Sequence, residues 1–187
     1  HPFKNLDIPN EGEDAHERQD FSIAELHQIR EKLKGDDTEL ALIIGIVMDT
    51  GVRVSECVGL MVSDVVLNVD IPYIKIHKNS FRRLKTKNST RFIPLVGNAL
   101  EAATIAVTNV KHKLMFPRYI DQAKGKVKND VASNALNKRL STIIDERKTM
   151  HSFRHTMQTR LRDVECPEDI RKEPMGWQKD VSKSYGS

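Results

Sequence analysis

His151-Ser152-Phe153-Arg154-His155 is the stretch on which the reading of this 187-residue chain turns. In a helix with 3.6 residues per turn, side chains three apart share a face, so His151 and Arg154 project together. An imidazole moves a proton near neutral pH, and a guanidinium forks onto an oxyanion. His155 sits about 100° around the helix from Arg154. A lone His-x-x-Arg is weak evidence of chemistry, so what flanks it decides its meaning.

The helix predicted to carry the motif covers residues 152–162, and upstream of it the chain reads as a succession of helices around one small sheet. Ser22 followed by Glu25 forms a capping box, with Phe21 placed to staple onto Leu26, so a helix opens there and runs to Gly35. A second, strongly apolar helix spans residues 38–50 and ends at Gly51. A third, short one passes through Cys57, Val58 and Leu60. Period-two alternation then marks strands at 65–67, 73–77 and 91–95, with Pro94 suited to a sheet edge. Further helices are expected at 97–110, 129–144 and 168–175, the last stopped by Gly176, while 111–128 reads as a basic connection. The expected fold class is therefore mainly α with a small antiparallel β-sheet (α+β), in one domain covering 21–187. Residues 1–20 read as a linker or arm.

Charge is distributed unevenly. The formal net charge is +4, yet residues 71–100 contain no acid and carry Lys75, Lys78, Arg82, Arg83, Lys85, Lys87 and Arg91. This basic hairpin admits two readings, a solvated face or a phosphate-facing patch that binds DNA through Lys78, Arg82, Arg83, Lys87 and Arg91. Arg53, just after the Gly51 turn and between core segments, also has two: a structural pair with Glu56, or a functional cation. His77 and His112 read as surface or loop residues. Cys57 and Cys166 lack metal-ligand spacing and are expected to stay reduced, as in a cytoplasmic protein. The apolar run at 40–48 is far short of the ~18 residues of a membrane span.

Together these segments resemble the catalytic domain of tyrosine recombinases, the phage-integrase family. Thr50-Gly51-Val52-Arg53-Val54-Ser55-Glu56 is similar to the family's first arginine motif, and Lys85-Thr86-Lys87 followed by Arg91-Phe92-Ile93-Pro94-Leu95 resembles its β-hairpin lysine motif. His151-Ser152-Phe153-Arg154 resembles its His-x-x-Arg box. Met175-Gly176-Trp177 ahead of Tyr185 resembles its closing segment, where most members have Gly-His and some have Gly-Trp.

The resemblance implies a site-specific recombinase or integrase that cuts and rejoins double-stranded DNA through a 3′-phosphotyrosyl link. No nucleotide cofactor or metal is called for. The implied catalytic set is Arg53, Lys85, His151, Arg154, Trp177 and Tyr185. A phenol is both a weak nucleophile and a good leaving group, so a tyrosyl link keeps the bond energy for resealing. Two guanidinium forks match the non-bridging oxygens of a crowded phosphorus centre. Lys87 competes with Lys85 as the proton donor. Trp177, whose indole N–H only donates, either bonds a non-bridging oxygen or packs behind the tyrosine segment.

The family further implies an N-terminal core-binding domain joined through residues 1–20 and partner protomers assembled on DNA attachment sites, such as a tetramer. It also implies a bacterial or phage origin on a mobile element, and cytoplasmic action. Type IB topoisomerases use a similar residue set, and an inactive DNA-binding module would retain the same fold.

Overall fold

The structure, a computed structural model, describes residues 19–82, 90–144 and 147–176. Ser22 and Glu25 start helix α1 (Ile23–Leu33) by the reciprocal bonds a capping box requires: Ser22 Oγ accepts from the Glu25 N–H and Glu25 Oε2 accepts from the Ser22 N–H. Phe21 goes beyond the expected staple. It lies in the core, with its ring stacked 4.3 Å from that of Phe153, and its N–H donates to Thr156 Oγ1 at 2.8 Å. Lys148 meanwhile bonds the capping carboxylate of Glu25 at 2.6 Å, so the start of α1 is fastened to the helix that carries the His-x-x-Arg motif.

Helix α2 (Glu39–Thr50) forms the axis of the core, with every residue from Ala41 to Met48 buried. A helix apolar all round has to be covered on all sides, and α2 packs against α1, α3 (Val54–Val58), α4 (Gly97–Asn109), α5 (Asn129–Ser141) and α6 (Met150–Asp163). Gly45 lets α4 approach closely, because a Cβ there would stand 3.0 Å from that of Ala102. The helix ends where Gly51 takes a left-handed φ of 64° and returns its N–H to Val47 O.

The sheet is three-stranded and antiparallel in the order β1 (Val65–Val66), β2 (Tyr73–Ile76), β3 (Arg91–Pro94), which leaves β3 and its Pro94 at an edge as expected. Ile74 on β2 pairs with Ile93 on β3, both facing the core. The stretch expected to be a plain connection holds two further short strands, β4 (Ile120–Asp121) and β5 (Lys126–Val127), paired antiparallel. Two-residue strands leave too little alternation for a period to register in the sequence. The chain then passes through α5 and α6 to α7 (Glu168–Met175), capped by Gly176 at φ 61°. Among the described residues no helix is long and apolar enough to cross a membrane, and both cysteines are free thiols.

Because Phe153 is fully buried and stacked on Phe21, Phe153→Ala should lower the unfolding free energy by about 3–5 kcal/mol in denaturant titrations. Phe92→Ala, at a ring 52% exposed, should stay within about 1 kcal/mol.

Candidate active site

The turn between α2 and α3 brings the two sequence-predicted arginines together. Gly51 reverses the chain, and Arg53 follows as the N-cap of α3. Its N–H donates to Glu56 Oε2 at 2.9 Å and its Nη1 to Glu56 Oε1 at 3.0 Å. From the other side Arg154, on α6, donates through Nη1 to the carbonyl of Gly51 at 3.0 Å. The peptide that aims Arg53 is thus held by the second arginine. Arg53 is 39% exposed, whereas Arg154 is 4% exposed and lies beneath it.

Glu56 sits at the centre of this cluster, 5% exposed. A third guanidinium, that of Arg91 on β3, donates to its Oε2 at 2.7 Å. Burial opposes ionisation of Glu56, but the charge and hydrogen bond of Arg91, joined by Arg53, outweigh it and hold the carboxyl below its ordinary value. Arg154 is lowered too, and there the shift disfavours the charged form: burial, then repulsion from nearby Arg53 and Arg91, brings it down to about 10, with Glu56 opposing. It remains a cation at neutral pH in a spot already crowded with positive charge. Among the described residues, one buried carboxylate faces three guanidinium groups, so the cluster is net cationic there.

His151 is exposed in the first turn of α6, which opens at Met150, slightly earlier than the sequence suggests, because Ser152 Oγ accepts from the Thr149 N–H at 3.2 Å. Its ring meets that of His155 edge-on, with centroids 4.9 Å apart. His155 Nε2 is buried without a hydrogen-bond partner among the described residues.

Two residues expected to face DNA prove to be internal. Arg82 is 2% exposed; its Nε donates to His77 O at 2.8 Å, its Nη1 to Glu56 O at 3.0 Å and its Nη2 to Asp64 Oδ2 at 3.3 Å. Arg91 is 3% exposed and engaged with Glu56 and with the carbonyl of Pro174. Both guanidinium groups are committed inside the protein, so the phosphate-facing reading is corrected for them. His77 is corrected as well: its Nε2 lies 2.6 Å from Oδ1 of buried Asp64, an anchor rather than a plain surface group. Lys78 is exposed. Arg83, Lys85, Lys87, Trp177 and Tyr185 lie outside the described residues.

Asp64, and the inward placement of Arg91 on Glu56, are the parts of this arrangement that the sequence reading missed. A signal existed for Arg91, since alternation puts it in phase with Ile93 and Leu95, on the side that faces the core. Among the described residues no group of three or more His, Cys, Asp or Glu side chains gathers as a metal site would require.

The sequence profile of the phage integrase family matches residues 20–183. Among curated proteins nothing matches by sequence. Among solved structures, the Tn1549 transposon integrase in complex with circular intermediate DNA superposes with a TM-score of 0.68 at 20% identity, over 90% of this chain and 63% of that one. The XerH site-specific recombinase bound to its difH substrate before cleavage gives 0.63 at 19% identity, over 90% of this chain and 50% of that one. The chain thus spans about three-fifths of the first and half of the second, and at such identities the likeness is one of fold.

Removing the Glu56 charge leaves buried guanidinium groups uncompensated, so Glu56→Gln should cost about 3–5 kcal/mol at neutral pH. Since the folded carboxyl titrates below its ordinary 4.5, its contribution is complete above that value and lost as pH falls through the lower folded value. The stability gap between parent and variant should therefore narrow on acidification below 4.5, as urea titrations across that range would record.

Proposed function

The chain belongs to the phage integrase family, and from that premise we propose that it is the catalytic part of a site-specific DNA recombinase that works by phosphoryl transfer through tyrosine. The observation that carries the reading is the convergence of Arg53 and Arg154 on one turn, with Arg154 bonded to the Gly51 carbonyl beside Arg53. Two cations held this close, against their mutual repulsion, suit a doubly charged oxygen pair on phosphorus better than any single carboxylate.

In the proposed reaction the phenolic oxygen of Tyr185 attacks the scissile phosphorus and forms a 3′-phosphotyrosyl bond as the bond to the 5′ oxygen breaks. Arg53 and Arg154 hold the non-bridging oxygens, whose charge grows as the fifth bond forms. His151, exposed at the start of α6, accepts the phenolic proton. Lys85, with Lys87 as its competitor, donates to the departing 5′ oxygen, and Trp177 donates an indole N–H to the phosphate or packs behind Tyr185. Attack by a 5′ hydroxyl on the phosphotyrosine reverses each step, and no cofactor is spent. Exposed Lys78, together with Arg83 and Lys87, supplies contacts to DNA backbone. A core-binding domain joined through residues 1–20, and further protomers on the same DNA, complete the assembly in this reading.

On nicked duplexes that trap the cleaved state, the parent chain should form an SDS-resistant protein–DNA adduct and Tyr185→Phe none. Arg53→Ala or Arg154→Ala should slow adduct formation by about 10²–10³-fold. An adduct with Tyr185→Phe equal to that of the parent would remove the nucleophile assignment, and rapid relaxation of plasmids irrespective of sequence would favour a type IB topoisomerase. Duplex affinity should fall steeply and log-linearly with added salt.

A further inference from the structure

Arg91 bonds two parts of the chain that the proposed chemistry must keep in register. Its Nη2 meets Glu56 Oε2 at 2.7 Å, and Glu56 in turn holds both the N–H and the guanidinium of Arg53. Its Nε donates to the carbonyl of Pro174 at 2.8 Å. Pro174 lies in the last turn of α7, two residues before Gly176 and a short way ahead of Tyr185. Pro174 lacks an N–H and interrupts the helical ladder at that point. The Gly176 backbone closes over the same guanidinium: a Cβ on it would stand 3.0 Å from Arg91 Nη1.

We infer that Arg91 is a positioning residue that couples the phosphate-binding turn to the segment carrying Tyr185, through Glu56 on one side and the Pro174 carbonyl on the other. This rests on the recombinase reading above. The guanidinium shape is what the role demands. It is planar, it presents Nε and Nη donors along different directions, and it stays charged, so one side chain serves a carboxylate and a carbonyl together. A lysine ammonium in the same place can keep the ion pair with Glu56, but it is a compact point charge without the fork. Arg91 thus acts through the backbone of α7, on the chain that leads to Tyr185.

The test separates nucleophile placement from phosphate activation. From nicked duplexes of randomised sequence, those that form adduct with the parent are recovered and used as substrate. Arg91→Lys should lower the rate of adduct formation by roughly 10- to 100-fold, the range expected when a reacting atom is displaced by about 1 Å, with duplex affinity unchanged. Gly176→Ala presses on the same contact from the α7 side and should give the same loss, so the inference stays testable if Arg91→Lys does not fold. In a Tyr185→Phe background, hydrogen peroxide serves as a diffusible nucleophile that adds to phosphorus as the bond to the 5′ oxygen breaks, so it needs the phosphate-binding groups but not the placement of residue 185. Peroxide-supported strand cleavage should then be the same with Arg91 and with Lys at that position. Equal losses in both assays would assign Arg91 to the phosphate side and overturn the coupling, as would adduct formation by both variants at the parental rate. A parent that forms no adduct on any duplex would overturn the recombinase reading itself, and the coupling with it.

Discussion

The buried carboxylate of Glu56 is the constraint on which the site depends. Arg53, Arg91 and Arg154 arrive from a turn, a strand and a helix that are far apart in sequence, and like charges do not gather in a low-dielectric interior unless something anionic compensates them. Glu56 bonds two of the three directly and attracts the third. Its backbone adds a further link, since the carbonyl of Glu56 accepts from Arg82. One short helix, α3, therefore fixes the base of the hairpin, the first strand residue after it and the turn that presents Arg53. Among the described residues the compensation is partial, one carboxylate facing three guanidinium groups.

Positioning of this cluster follows from how the core is built. Helix α2 has no polar face to leave in water, so the other helices must enclose it, and the Gly51 turn at its end emerges where α6 crosses. Phe153 packs into that core one residue before Arg154, while Phe21 stacks against it. The arginine's orientation is thereby set by its apolar neighbour: with Phe153 fixed inward, helical geometry directs Arg154 to the Gly51 carbonyl. Lys148 and Thr156 fasten α1 to the same helix. Stability of the core and aim of the Arg154 guanidinium are consequences of the same packing, so a core substitution near α6 would disturb both.

Most of the fold was legible because its helices announce themselves. The capping box at Ser22, the apolar run before Gly51 and the glycine stop at Gly176 are local signals, and local signals survive in sequence. The β4–β5 pair was invisible because two-residue strands have no period to detect. For the site, Arg53 and Arg154 were legible by spacing and context, but the depth at which each side chain sits was not. A run of basic residues reads the same whether its members face water or a buried acid. Arg82 and Arg91 went inward because Asp64 and Glu56 wait there, and those partners are 18 and 35 residues away.

That inward turn changes what a basic hairpin means here. Had every cation between residues 71 and 100 faced DNA, the hairpin would hold nucleic acid by charge alone, and its position relative to α3 would be set by the DNA. With Arg82 bonded to Asp64 and to the Glu56 carbonyl, and Asn79 donating to the Gly59 carbonyl at 3.0 Å, the described base of the hairpin is fixed before any ligand arrives. Exposed Lys78 stands beside this anchored base, so its backbone position is set by the fold itself. Division of labour among like-charged residues, with Arg82 and Arg91 buried on acids and Lys78 left exposed, is how a segment carrying one sign of charge keeps its shape.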